Sequence, residues 1–338
     1  MFVLESYGIA VLFCVITMLC WGSWGNTQKL AGKTWRFELF YWDYVFGVAL
    51  TALIFAFTLG SVGQTGRGFL EDMGQADLSA LGSAFLGGVV FNAANILLVA
   101  AIAIAGMSVA FPVGIGLALV LGVMINFAAR PEESGNPMFL FAGVALVTVA
   151  IILNAVAYSK LPNQKQGGGS IKGIVLAVCC GILMSLFYFL VARSLAGTLE
   201  GGGLEPGKIT PYTANVVFTW GILVSSFLFV TAIMYKPFTG TPVALAAYFK
   251  GSPLDHLWGI IGGSIWAVGM SLNVIASGVA SPAVSYGLGQ GATLVAAIWG
   301  VFVWREFKGG STTVQKLLAI MFAAFFLGLA LIIWTKLG

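Results

Sequence analysis

Ten apolar runs of about 20 residues each succeed one another along the chain, near 7–25, 38–60, 79–105, 107–129, 138–159, 171–193, 211–235, 256–277, 282–304 and 314–335. A helix needs about 20 apolar residues to cross roughly 30 Å of hydrocarbon. The expected fold is therefore an all-α membrane protein with ten transmembrane helices. Composition leaves little else: hydrophobic residues make up 59% and charged residues 8% of 338 positions, with mean hydropathy +0.99. A soluble domain carries roughly 25% charged residues. The N-terminus has neither a basic segment nor a cleavage site, so the first run is expected to remain as a helix. The net charge of +4 comes from scattered residues rather than a basic face, so nucleic acid is not an expected partner. Cys14, Cys20, Cys179 and Cys180 lie inside apolar runs without metal-ligand spacing, and imply neither a disulfide framework nor a metal site.

The runs repeat. At an offset of 165, Gly8 aligns with Gly173, Cys14 with Cys179, and Leu30-Ala31-Gly32 with Leu195-Ala196-Gly197. Further on, GGVVF at 87–91 matches GGSIW at 262–266 at an offset of 175, and Ser108, Ala110, Gly114 and Gly116 match Ser281, Ala283, Gly287 and Gly289 at 173. Arg130-Pro131-Glu132 and Arg305-Glu306-Phe307 end corresponding runs. The chain thus divides into a first five-helix repeat (1–160), a short polar, Gly-rich linker (161–172) and a second five-helix repeat (173–338). Five crossings per repeat make the copies inverted, the arrangement that lets one scaffold expose a central site to either side. Loops after helices one, three, five, seven and nine hold eleven basic residues: Lys29, Lys33, Arg36, Lys160, Lys165, Lys172, Lys236, Lys250, Arg305, Lys308 and Lys316. The other side holds five: Arg67, Arg130, Arg193, Lys208 and Lys336. The bias places the first set in the cytoplasm and both termini outside. Residues 242–250, PVALAAYFK, are expected to form a short amphipathic surface helix.

FYWDY at 40–44, LGGVVFNAAN at 86–95, YKPFTGTP at 235–242 and ATLVAAIWGVFVWREF at 292–307 give the chain a resemblance to the ureide permease family of the drug/metabolite transporter superfamily. More loosely, it is similar to bacterial glucose/ribose-type porters. The resemblance covers nearly the whole chain. It implies two inverted five-helix repeats, a central cavity, and proton-coupled uptake of small polar heterocycles such as allantoin or uracil. Plant members carry a long cytosolic insert with a P-loop-like segment between the halves. This chain has only the short linker, so nothing about nucleotide binding carries over, and the departure suggests a bacterial relative.

Asp43 is the only carboxylate well inside an apolar run. Ionisable groups in a bilayer are costly, which makes Asp43 the candidate proton-coupling residue; snorkelling near Glu38 is the structural alternative. Trp21, Trp24 and Gln28 share a helical face suited to stacking on and hydrogen bonding to a planar solute, although the tryptophans also fit an interfacial belt. Asn92 and Asn95 on helix three, and Trp266 and Asn273 at the matching place on helix eight, must point inward, toward the cavity or a neighbouring helix. Tyr286 and Gln290 sit one turn apart among glycines, and Tyr188 joins them from helix six. These ten residues, Trp21, Trp24, Gln28, Asn92, Asn95, Tyr188, Trp266, Asn273, Tyr286 and Gln290, are the expected solute contacts. Ser185, Phe189 and Asn215 are weaker candidates, and Pro112 and Pro282 are candidate hinges. Arg130 with Glu132, and Arg305 with Glu306, are either gate latches or solvated helix ends. His256, beside Asp255, is expected at the interface.

The sequence thus reads as a secondary active importer of a small polar solute, working by alternating access in the plasma membrane. H⁺ is the expected coupling ion and no other cofactor is implied. A sugar porter or a drug/metabolite exporter on the same fold is the alternative. A membrane enzyme lacks its nucleophile, metal cluster or acid pair, and a channel lacks a filter motif. The expected partners are the solute and the lipid bilayer, with a homodimer as an open option.

Overall fold

The computed structural model describes residues 1–31, 35–63, 65–161, 170–199 and 203–337. Gly32, Lys33, Lys165 and most of the expected linker (162–169) lie outside the described residues. Among the described residues, ten helices are long and apolar enough to cross a membrane. They are α1 (Tyr7–Leu30), α2 (Phe37–Phe57), α3 (Leu78–Ala105), α4 (Phe111–Ala129), α5 (Pro137–Ser159), α6 (Ile171–Ser194), α7 (Pro211–Tyr235), α8 (Pro253–Ala280), α9 (Pro282–Val303) and α10 (Thr312–Trp334). Each matches one sequence run to within a few residues.

Hydrogen bonds fix which helix ends meet. Phe2 N donates to Leu59 O at 2.7 Å, Asp77 N to Gly207 O at 2.8 Å and Asn136 N to Thr335 O at 2.9 Å. Lys336 Nζ reaches Val279 O at 2.6 Å. Odd-numbered helices therefore begin, and even-numbered ones end, on the face that carries both chain termini, here the terminal face. The opposite, basic face carries Lys29, Arg36, Lys160, Lys172, Lys236, Lys250, Arg305, Lys308 and Lys316. Because α1 starts where α6 ends, the fold is compatible with inverted halves. Its packing is too: α3 packs on α6 as α8 packs on α1, and α2 on α8 as α7 on α3. The pairs α5/α10, α2/α7 and α4/α9 map onto themselves under the same exchange.

Glycine permits two of the closest crossings. Gly88 of α3 lies on the Phe218 carbonyl of α7, and Gly263 of α8 on the Tyr44 carbonyl of α2; a Cβ at either would strike the neighbouring backbone. The tight hairpins also correspond, with Gly106 between α3 and α4 at φ 81° and Ser281 between α8 and α9 at φ 80°. By backbone shape Ser281 therefore answers Gly106, an offset of 175, rather than Ser108 as the residue matches suggest. Glycine tolerates that conformation freely, whereas Ser281 holds it by capping Val284 N with its hydroxyl.

Three local expectations change. The first helix runs on to Leu30, with its regular ladder interrupted at Trp24. Within 242–250 only Leu245–Lys250 coils, as a 3₁₀ turn, because Pro242 and the extended Ala244 hold the preceding residues out of it. On the terminal face, Phe69–Gln75 forms a short helix, too brief and polar for hydropathy to reveal, with Glu71 and Asp72 in its first turn.

Candidate functional site

Two irregularities mark the centre of the bundle. The first turn of α4, Phe111–Ile115, is π-helical. The ladder of α9 breaks at Gln290–Gly291. At the offset of 175, Ile115 at the end of the π turn corresponds to Gln290 at the break, so the irregularities of the two halves meet at that position. Helix interruptions at corresponding positions of two halves are where transporters build their sites.

Both irregular segments line a cavity of about 170 Å³. Trp21 and Trp24 of α1, Phe91 and Asn95 of α3, Met184 and Phe187 of α6, Trp266 of α8 and Gln290 of α9 complete it. The walls are organised by Trp266, which stacks on Trp21 (5.9 Å, 12°) and on Phe218 (6.1 Å, 17°) and lies 4.6 Å from Phe91. Trp21 Nε1 donates to Trp266 O at 3.2 Å, fixing α1 to α8. Two carboxamides supply the polarity. Asn95 donates Nδ2 to Tyr41 OH at 3.1 Å, which leaves its oxygen for the cavity. Gln290 enters at the broken rung of α9. Flat aromatic walls with donor and acceptor tips suit a planar polar solute.

Five expected contacts are thus brought together: Trp21, Trp24, Asn95, Trp266 and Gln290. The other five are placed elsewhere. Gln28 lies beyond the interruption at Trp24, which turns Thr27 rather than Gln28 toward α8 at Gly262. Asn92 is fully buried as a tie between helices: Nδ2 donates to Ser225 Oγ (2.8 Å), Ser226 Oγ (3.0 Å) and Ile222 O (3.1 Å), and Oδ1 accepts from Tyr41 OH (3.0 Å). Asn273 donates to Ser285 O at 2.9 Å, joining α8 to α9. Tyr188 donates to Asn273 O at 3.2 Å, and Tyr286 donates to Ala118 O at 3.1 Å and Met184 O at 3.2 Å. These two phenols, their rings 5.3 Å apart, lie between the cavity and the terminal face. Of the weaker candidates, Ser185 bonds within its own helix to Ile182 O, Phe189 lines a terminal-face pocket, and Asn215 is buried in α7. Pro112 lies in the π turn of α4 and Pro282 at the first position of α9.

Toward the basic face the cavity shares Phe111, Thr293 and Ala296 with a vestibule of about 190 Å³. Glu306 sits at its rim, paired with Lys29 at 3.1 Å and accepting a hydrogen bond from Tyr158. Trp304 Nε1 donates to Asn26 Oδ1 at 2.7 Å, and Lys29 lies 4.6 Å over the Trp304 ring. Among the described residues, neither Arg305 with Glu306 nor Arg130 with Glu132 forms a pair; each finds other partners or none. Glu306 reaches across to α1 and α5 rather than to its neighbour Arg305, whose positive φ of 51° turns the chain away. Arg130 pairs with Glu133 at 3.4 Å rather than with Glu132, because the 3₁₀ turn Pro131–Glu133 brings Glu133 round to it.

Asp43 lies outside the cavity, two turns into α2 and 2% exposed. Tyr248 OH donates to its Oδ1 at 2.5 Å, and His256 Nδ1 is 3.0 Å from both carboxylate oxygens. The His256 ring packs edge-on against Trp35 (5.0 Å) and Tyr248 (4.7 Å). His256, expected only at the interface, is thus the partner of the buried carboxylate. Tyr248, on the 3₁₀ turn, gave no sequence signal because more than 200 residues separate it from Asp43. Burial pushes the Tyr248 phenol above its ordinary range, and the hydrogen bond to and charge of Asp43 push it further. The next residue, Tyr44, packs 4.8 Å from Trp24, linking this cluster to the cavity wall.

Comparison with known proteins matches the ureide permease family model to residues 40–168 and 164–335. Ureide permease 1 of Arabidopsis thaliana is 23% identical over 386 residues, covering 98% of each chain. Ureide permease 2 of the same plant is 22% identical over 394 residues with the same coverage. A protein known from a crystal structure shares the fold at a TM-score of 0.60 and 13% identity, over 95% of this chain and 96% of its own.

Proposed function

Since the chain belongs to the ureide permease family and folds as a ten-helix multi-pass membrane protein, it is a transporter of small polar solutes; we propose that it imports a ureide, nucleobase or related heterocycle by proton-coupled alternating access. The supporting observation is the aromatic cavity tipped by Asn95 and Gln290, continuous with the basic face and covered by tyrosines toward the terminal face. By the distribution of basic residues the basic face is cytoplasmic and the state is inward-facing, and uptake from outside the cell puts the protein in the plasma membrane. The five-helix halves, 1–160 and 173–338, rock about the cavity.

The proton sits on Asp43. A charge enclosed by protein needs such partners, and Tyr248 and His256 supply them to the Asp43 carboxylate. Protonation weakens that tie between α2, α8 and the loop around Tyr248, and Tyr44 passes the change to Trp24.

Uptake of allantoin and uracil into proteoliposomes, with and without an inward proton gradient, tests this. Wild type should accumulate solute only with the gradient, and Asp43→Asn should equilibrate without accumulating it. Gradient-driven accumulation by Asp43→Asn equal to wild type would remove Asp43 from the coupling role. A thermal-shift response to pentoses or hexoses, with none to heterocycles, would favour a sugar porter instead.

A further inference from the structure

The half of the molecule between the cavity and the terminal face contains polar groups that serve nothing in the present state. Among the described residues, Asn126 Oδ1 and Asn273 Oδ1 have no hydrogen-bond partner and Ser285 Oγ has only the weakly bonding Cys14 thiol beside it, although all three residues are at least 99% buried. The amide orientations are fixed from their other ends, with Asn126 Nδ2 donating to Gly122 O at 2.8 Å and Asn273 Nδ2 to Ser285 O at 2.9 Å. What remains is two acceptors and a hydroxyl. Native structures rarely leave buried polar atoms unpaired, since each costs stability.

These groups sit on α4, α8 and α9, and α9 packs on both of the others. Asn126 lines a terminal-face pocket of about 260 Å³ together with Pro282 and Arg130. One helical turn deeper, the Tyr286 ring lies against Gly122 so closely that a Cβ there would overlap it. Ser285 precedes Tyr286 on α9 and is tied through its carbonyl to Asn273, and Gly289, packed on Trp21 and Asn273, leads to Gln290 at the cavity. Arg130 joins the first pocket to a second, polar one of about 670 Å³ that opens beside Ser281 and Lys336.

We propose that Asn126, Ser285 and Asn273 line the closed half of the solute pathway as a second solute-binding station, sealed by Tyr286. When Tyr286 leaves the carbonyls of Ala118 and Met184, the station hydrates and meets solute from the terminal face. Its spare groups are two carbonyl acceptors and one hydroxyl, so it favours neutral solutes rich in N–H or O–H donors over an ionised carboxylate, to which only Ser285 can donate. This inference rests on the alternating-access reading.

The test uses the full chain with Cys14, Cys20, Cys179 and Cys180 replaced by alanine, purified in detergent. Single cysteines are placed by Asn126→Cys, Ser285→Cys and, in the basic-face vestibule, Asn154→Cys. Labelling by a charged methanethiosulfonate is timed with and without Tyr286→Phe, which removes only the seal's hydroxyl, and Gly122→Ala, which crowds its ring. We expect labelling at positions 126 and 285 to accelerate about tenfold in the seal variants, and labelling at 154 to slow. Added allantoin or uracil should then protect position 285. Unchanged rates at 126 and 285 in both variants overturn the pathway. Acceleration without protection by either solute or by a hexose overturns the binding station. Acceleration at 126 and 285 with no change at 154 upholds the pathway and sinks alternating access instead.

Discussion

The cavity's two sides are held shut or open by different chemistry. On the basic face, the rim is ionic and half-exposed: Lys29 with Glu306, Tyr158 on Glu306, and Trp304 on Asn26. On the terminal side, the seal is aromatic and fully buried, with Tyr286 and Tyr188 bonded to backbone carbonyls of α4, α6 and α8. Charged pairs near water exchange partners readily and contribute little. Buried rings against backbone resist displacement until a whole helix moves. The contrast teaches that the stable closure of this state lies on the terminal side, while the basic face is a loose rim around a continuous path.

Truncating the seal has the largest expected effect. Tyr286→Ala removes a fully buried ring and its two hydrogen bonds. In lipid the loss comes from packing and from the cavity left behind, on the scale of about 3 kcal/mol for a large aromatic truncation. Denaturation in detergent should show this, with Tyr286→Phe losing much less. If Tyr286→Ala and Glu306→Ala prove equally mild, the two sides do not differ and the comparison fails.

How far this contrast was legible in the sequence differs between fold and site. Length and apolarity alone specify ten helices, because the bilayer sets one length for all of them. The duplication revealed the correspondence of α3 with α8, and thereby Asn95 and Trp266. It misjudged Asn92: one turn from Asn95 on the same helix, it lies where Ser225 and Ser226 of α7 can reach it, and periodicity does not name the neighbour. Phe91 was overlooked because an aromatic in an apolar run does not stand out by type, although the match of 87–91 with 262–266 set it opposite Trp266 and its spacing of i, i+4 from Asn95 put it on the cavity face. The tyrosines were legible as inward-pointing, but whether a phenol contacts solute or a carbonyl depends on the crossing of α4, α6 and α9. Asp43 stood out by its charge. His256 did not, because only the packing of α2 against α8 turns an interfacial histidine into its partner.

A smaller effect is expected at the basic rim. A double-mutant cycle of Lys29→Ala and Glu306→Gln should return a coupling of roughly 0.2–1 kcal/mol, as for other partly exposed pairs. It should shrink as salt is raised from low to physiological strength. Chemical unfolding at two ionic strengths measures both. Coupling several times larger and indifferent to salt would mean that the rim is a true closure, and the asymmetry of the two sides would disappear.

The smallest effect concerns the loop that covers Asp43. The Tyr248 phenol is raised above its ordinary value, near about 10 for a free tyrosine, first by burial and then by Asp43. The unfolded chain therefore releases this proton at lower pH than the folded protein does. The stabilisation is complete below the ordinary phenol range and is lost as pH rises through that range toward the folded value. Wild type should accordingly lose more thermal stability than Tyr248→Phe when melting is followed from neutral to strongly alkaline pH, the other buried tyrosines affecting both alike. Parallel pH profiles for the two proteins would show that Tyr248 is not held on the carboxylate in solution. The basic-face loop would then be as loose as the Lys29 rim, and Asp43 would depend on His256 alone.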